Sequence, residues 1–243
     1  MDNLTLKRNA KSIMANPEKP SAITAGLLYV VITLVLEALS AKLTGIELTD
    51  TQYEKWMDMY TTGQFEAALT YIQKFMPSTG AFGIDSLIRL LKMIIDGGFL
   101  IFILNHTRKS KEACYGNILD GFEIPFKLIF LNILKALVIG IGLVFLVVPG
   151  VIAAYGYRQS TFLLLDHKDW GIMKCLKESR RIMKGYKWKA FTLDLSLLGW
   201  YFLSAIPLTE IYAYPLVETT KTLFYDSING RIPDAEFTDY TEI

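Results

Sequence analysis

Two charged residues stand where a charge is costly. Arg158 lies in the middle of VVPGVIAAYGYRQSTFLLLD, residues 147–166, and Asp96 precedes Gly97-Gly98 inside the apolar run 86–105. If both runs are helices in a bilayer, each charge sits near mid-depth. A central arginine costs at least ~2.5 kcal/mol on insertion scales, so it usually faces a bundle interior or a watery cavity and pairs there. The expectation is an Asp96–Arg158 ion pair. Tyr155, Tyr157 and Gln159 would flank it, and Lys92, four residues before Asp96 on the same helical face, would compete for the carboxylate. Such a group either locks the register of two helices or lines a polar cavity for a charged or amphiphilic ligand.

A second concentration of chemistry is residues 166–189, where eight bases face three acids for a net charge of +5. Lys174, Lys177, Arg180, Arg181, Lys184 and Lys187, with Trp188 beside them, suit anionic lipid headgroups at roughly 1 kcal/mol per base near the surface. The same charges also serve as a plain topological signal. Nucleic acid would need such charges too, but their place against apolar runs makes lipid the simpler partner. His106 with Cys114, and His167 with Cys175, repeat one spacing of eight. Structural zinc sites take their ligands in short-spaced pairs, so neither a metal nor any other cofactor is expected. No hydrolase, metalloprotease, phosphate-loop or dinucleotide motif is present, which argues against an enzyme.

The elements that would position these residues follow from composition. Of 243 residues, 52% are hydrophobic, and the mean hydropathy of +0.32 is high for a soluble protein. Two cysteines provide no disulfide framework. The first apolar run begins only after Pro20, so no cleavable signal peptide is expected. Crossing a ~30 Å hydrocarbon core takes about twenty apolar residues, and six runs qualify: 21–43, 86–105, 124–148, 150–165, 190–207 and 209–228. Pro149-Gly150 is expected to separate the third from the fourth. Residues 1–20 read as a basic amphipathic helix on the membrane surface, or as a solvated tail, stopped near Asn16-Pro17. Residues 44–85 form an acidic excursion of net charge −4. One helix there starts at Thr49-Asp50 and closes at Gly63; a second runs from Phe65 to Met76 before Pro77. Residues 229–243 are an acidic tail.

Lys and Arg concentrate before the first run, between the second and third (Arg108, Lys109, Lys111), and between the fourth and fifth. The positive-inside rule then places both termini in the cytoplasm. The expected fold is all-α, a six-span integral membrane bundle forming one domain over 1–228, with amphipathic surface helices. AKSIMANPEKPSAI, CYGNILDGFEIPFKLI and SRRIMKGYKWKAFTL share a grammar. Each carries a bulky pair (Ile13-Met14, Ile118-Leu119, Ile182-Met183) ahead of an odd-numbered span, as three repeats of surface helix plus span pair would require.

From Tyr155 onward the chain resembles a family of bacterial membrane proteins, known mainly from Firmicutes, catalogued as domain of unknown function 975. The residues that carry the resemblance are Asp166, Glu178-Ser179, Met183-Lys184-Gly185, Phe191, Leu195-Ser196, Gly199-Trp200, Pro215 and Phe224-Tyr225. It extends over about 4–228 and is dense from about 149. The general pattern is also similar to the membrane domain attached to some glycerophosphodiester phosphodiesterases, whose catalytic domain has no counterpart here. The resemblance implies a multispan membrane protein and supplies no catalytic residues. The reading that follows is a non-enzymatic membrane protein that binds or organises lipids, amphiphiles or a partner membrane complex. A transporter or flippase with a polar path near Asp96 and Arg158, and an intramembrane enzyme acting on a lipid, are the alternatives.

Overall fold

The computed structural model describes residues 2–16, 20–44, 49–75, 79–108 and 113–231. Pro17, Glu47, Met76, Pro77, Lys109, Lys111 and the acidic tail beyond Arg231 lie outside the described residues. Among the described residues there are eleven α-helices and no strand, so the all-α expectation holds. They are α1 (Asn3–Met14), α2 (Ala22–Thr44), α3 (Asp50–Thr61), α4 (Phe65–Gln73), α5 (Thr79–Thr107), α6 (Pro125–Phe145), α7 (Val147–Tyr157), α8 (Ser160–Asp166), α9 (Ile172–Ile182), α10 (Lys187–Leu203) and α11 (Pro207–Ile228). A 3₁₀ segment, Tyr115–Glu123, lies between α5 and α6. Two described helices, α2 and α6, are by length and composition apolar enough to cross a membrane.

The chain divides into two compact units, and the smaller is Thr33–Lys92. In it α3 starts as expected: the Thr49 amide donates to Gln52 Oε1 at 2.9 Å. Gly63, at φ +77°, closes the helix. Tyr53, Trp56, Tyr60 and Phe65 form a continuous aromatic series with centroids 5.4–6.0 Å apart. Asp85 accepts from Ser40 and from Arg89, each at 2.6 Å.

In the larger unit three short segments pack against long helices, each for a readable reason. On α1, Leu6, Asn9, Ala10, Ile13 and Met14 are buried, the i, i+3, i+4, i+7 stripe of an amphipathic helix. That stripe meets the cluster built by Leu193, Leu197, Leu216, Leu223 and Phe224 of α10 and α11. Asn3 donates to Thr192 Oγ1 and Lys7 to the Ser196 carbonyl, both at 3.3 Å, and Lys11 lies 5.5 Å over the Trp200 ring. One turn of α1 therefore matches one turn of α10. This corrects the expected surface helix or solvated tail: protein covers the apolar face.

The 3₁₀ segment fits against α5 where Gly97-Gly98 leaves room. A Cβ on Gly98 would fall 1.9 Å from the Ile118 carbonyl oxygen. The third segment, α9, sits at a break that was not expected. The run 150–165 is not one helix, because α7 ends at Tyr157 and α8 begins at Ser160. Ser179 Oγ accepts from the Gln159 amide at 3.1 Å and donates to the Gly156 carbonyl at 2.9 Å. A side chain thus enters the backbone ladder and satisfies the groups that the break frees. The separation expected at Pro149-Gly150 falls four residues earlier, where α6 ends at Phe145, whose carbonyl a continued helix would set against the Pro149 ring. Pro149 itself lies in the first turn of α7, where a proline is tolerated, and extended Leu146 alone links α6 to α7.

Candidate functional site

The Arg158 guanidinium pairs with Asp194 of α10, which corrects the expected Asp96–Arg158 pair. Both side chains are largely enclosed, at 14% and 23% exposed. Asp194 also accepts from Tyr201 Oη at 3.0 Å, and the Tyr155 ring lies 6.0 Å from the guanidinium carbon. Lys221 of α11 donates to Glu218 at 2.7 Å and stands 5.2 Å over the Tyr201 ring. Arg158, Asp194, Tyr201, Lys221 and Glu218 therefore form one continuous polar layer among α7, α10 and α11.

Asp96 belongs elsewhere. It accepts from Tyr29 Oη at 2.7 Å, and the Tyr29 ring packs 4.7 Å from Tyr214 and 4.8 Å from Phe99. The face of α5 that carries Asp96 looks toward α2 and α11. Lys92 donates to Glu37 at 2.5 Å. Gln159 is fully buried toward α9, with Nε2 3.6 Å from Met183 Sδ, and Tyr157 packs against the cluster around Leu163 and Leu176. Of the five cavity candidates, Arg158 and Tyr155 share a site, and Asp96, Lys92 and Gln159 do not join it. Sequence reasoning passed over Asp194, Tyr201, Glu218 and Lys221. The available signal was the five charges inside the runs 190–207 and 209–228, three of which (Asp194, Glu218 and Lys221) form this layer.

A second knot ties three helix ends together. Arg108, just past α5, donates to Asp166 of α8 at 2.6 and 3.1 Å and to Asp226 of α11 at 2.7 and 3.1 Å. Tyr225 Oη donates to Asp166 at 2.6 Å, and Arg231 reaches the same carboxylate at 2.5 Å. Burial raises the Asp166 pKa, but the hydrogen bonds from Arg108 and Tyr225 outweigh it and hold the carboxyl below its ordinary value. Burial likewise opposes the Arg108 charge, and its bonds to Asp226 and Asp166 more than offset that.

The basic segment becomes a groove. Gly185, at φ +89°, turns the chain from α9 into α10. Lys177, Arg180, Arg181, Lys184, Lys187 and Trp188 line the resulting concavity of about 600 Å³. Lys174 stands apart from it, 3.8 Å over the Trp170 ring. Arg181 is held by Glu178, whose pKa that contact lowers. His106 and Cys175 are buried, Cys114 is exposed, and His167 stacks on Trp170 at 4.0 Å.

Residues 137–232 match the model of a family described as "Protein of unknown function (DUF975)". The resemblance to domain of unknown function 975 is thus borne out over that stretch, which contains the Arg158 layer and the basic groove. No curated protein and no solved structure matches the chain.

Proposed function

We propose, with that family match as the premise, that the chain is a multispan protein of the bacterial cytoplasmic membrane that works without catalysis. Its role is to bind or organise anionic lipids, or a membrane partner through them. The observation that carries this is its polarity, inverted relative to a soluble domain. Ion pairs and tyrosine hydroxyls lie among α7, α10 and α11, while Val144, Phe145, Phe202 and Leu208 are each more than 70% exposed. The apolar side chains from Leu143 to Val148 are exposed without a break, which a soluble monomer rarely allows and which lipid favours while driving charges inward.

On this reading α2, α5, α6, α7 with α8, α10 and α11 are the six crossings. The basic groove and both termini face the cytoplasm, and the acidic α3–α4 excursion faces out. The Arg108 knot holds the inner ends of α5, α8 and α11. The alternative, a transport path near Asp96 and Arg158, would run past two separate groups, since Asp96 meets Tyr29 and Arg158 meets Asp194.

Cysteine labelling of intact cells tests the topology. Thr61→Cys on the excursion should react with an impermeant thiol reagent, and Lys177→Cys in the groove should react only after the cells are opened. The reverse pattern would overturn the orientation, and labelling of both sites in intact cells would overturn the multispan reading.

A further inference from the structure

We propose that the α9–α10 groove and the outer face of α10 together form a binding site for one phospholipid whose headgroup carries two phosphates. The proposal rests on the membrane reading above and adds the ligand class and its place.

The groove supplies the headgroup site. Lys177 and Arg180 approach it from α9, Lys184 from the turn and Lys187 from the first turn of α10. Arg181 is neutralised by Glu178. The other four bases carry no carboxylate partner among the described residues, whereas the bases of the Arg158 layer and the Arg108 knot are matched. Four positive charges with no carboxylate partner among the described residues converge on one concavity and exceed what a single phosphodiester neutralises. They suit two phosphates held close together.

The face of α10 supplies the other half. Trp188 lines the groove, is 72% exposed, and stacks on Phe191 at 5.2 Å. From Phe191 the exposed apolar side chains continue through Leu195, Leu198 and Phe202, a single stripe at helical spacing. Other faces of α10 meet protein. Thr192 and Ser196 meet α1, and Asp194 and Tyr201 meet the Arg158 layer. At ~1.5 Å per residue the stripe from Phe191 to Phe202 runs about 16 Å, close to half of the ~30 Å hydrocarbon core and hence to one leaflet. A basic pocket, an indole at the boundary and an apolar track one leaflet deep match the order of headgroup, glycerol and acyl chain. A soluble phosphate compound would use the pocket alone, whereas a phospholipid uses the pocket and the track together.

The test uses the full chain purified in detergent, with binding read by native mass spectrometry and by the lipid-induced shift in melting temperature. Three probes are compared at equal phosphate: cardiolipin, phosphatidylglycerol and sodium pyrophosphate, with phosphatidylcholine as the reference. Cardiolipin should bind roughly tenfold or more tightly than phosphatidylglycerol, an advantage that salt weakens. The triple variant Lys177→Gln, Arg180→Gln, Lys187→Gln should lose that advantage while melting normally without lipid. Leu195→Gln with Phe202→Gln should weaken cardiolipin and leave pyrophosphate unchanged. Equal binding of the two anionic lipids would sink the two-phosphate inference and leave the anionic-lipid reading standing. Pyrophosphate binding as tightly as cardiolipin would replace the lipid with a soluble anion. No preference of either anionic lipid over phosphatidylcholine would overturn the functional reading as well.

Discussion

At the scale of single residues, Arg158 and Asp194 act as one object. Burying either charge alone is expensive, and their contact offsets most of that cost only while both are present. Arg158→Leu and Asp194→Leu should therefore each destabilise the protein by about 3–5 kcal/mol, and the double variant by clearly less than the sum. Thermal unfolding of the three variants in one detergent measures this, and additive effects would mean that the pair does not couple. That Arg158 needs a carboxylate was legible in the sequence, because an arginine inside an apolar run is costly unless it is paired. Which carboxylate was not. Asp96, Asp194 and Glu218 all lie in apolar runs, and the choice depends on which helix faces meet. Hydropathy carries no information on that rotation, and Tyr29, which takes Asp96, reads as an ordinary apolar-run tyrosine.

At the scale of elements, the joints between short segments and long helices are where sequence and structure diverge most. The long apolar runs were legible because length and hydropathy suffice to find them. The break after Tyr157 was not, since its cause, Ser179, comes from a different helix. The diglycine of α5 is a similar joint and allows a sharp test. Gly98→Ala sets a methyl against the Ile118 backbone and should lower stability by several kcal/mol, like other severe overpacking. Gly199→Ala, whose Cβ would meet nothing within 4 Å, should be neutral or stabilising by up to about 1 kcal/mol. Equal effects on detergent unfolding would dismiss the joint. The Arg108 knot has a pH signature. Asp166 is depressed in the folded protein, so its contribution is complete above the unfolded carboxylate value of about 3.9 and is lost as pH falls through the lower folded value. Melting temperature should fall more steeply below about pH 4 in the wild type than in Asp166→Asn; parallel curves would remove Asp166 from that role.

At the scale of the whole molecule, composition and charge asymmetry are what the proposed membrane class rests on, and the alternation of basic and acidic segments gives an orientation to test. The place of α1 was not legible. An amphipathic helix has the same pattern whether its apolar face meets lipid or protein, and only Thr192, Ser196 and Trp200 decide between them. That packing has a consequence in time. α1 finds its cover on α10 and α11, which are made about 170 residues later. At roughly 5–20 residues per second, the Leu6–Met14 stripe waits on the order of ten seconds or more during synthesis. Throughout that interval only lipid, a chaperone or the insertion machinery can shield it. A chain halted before α10 emerges would leave the stripe uncovered, which makes closure of α1 a report that α10 and α11 have been made and a natural point for quality control.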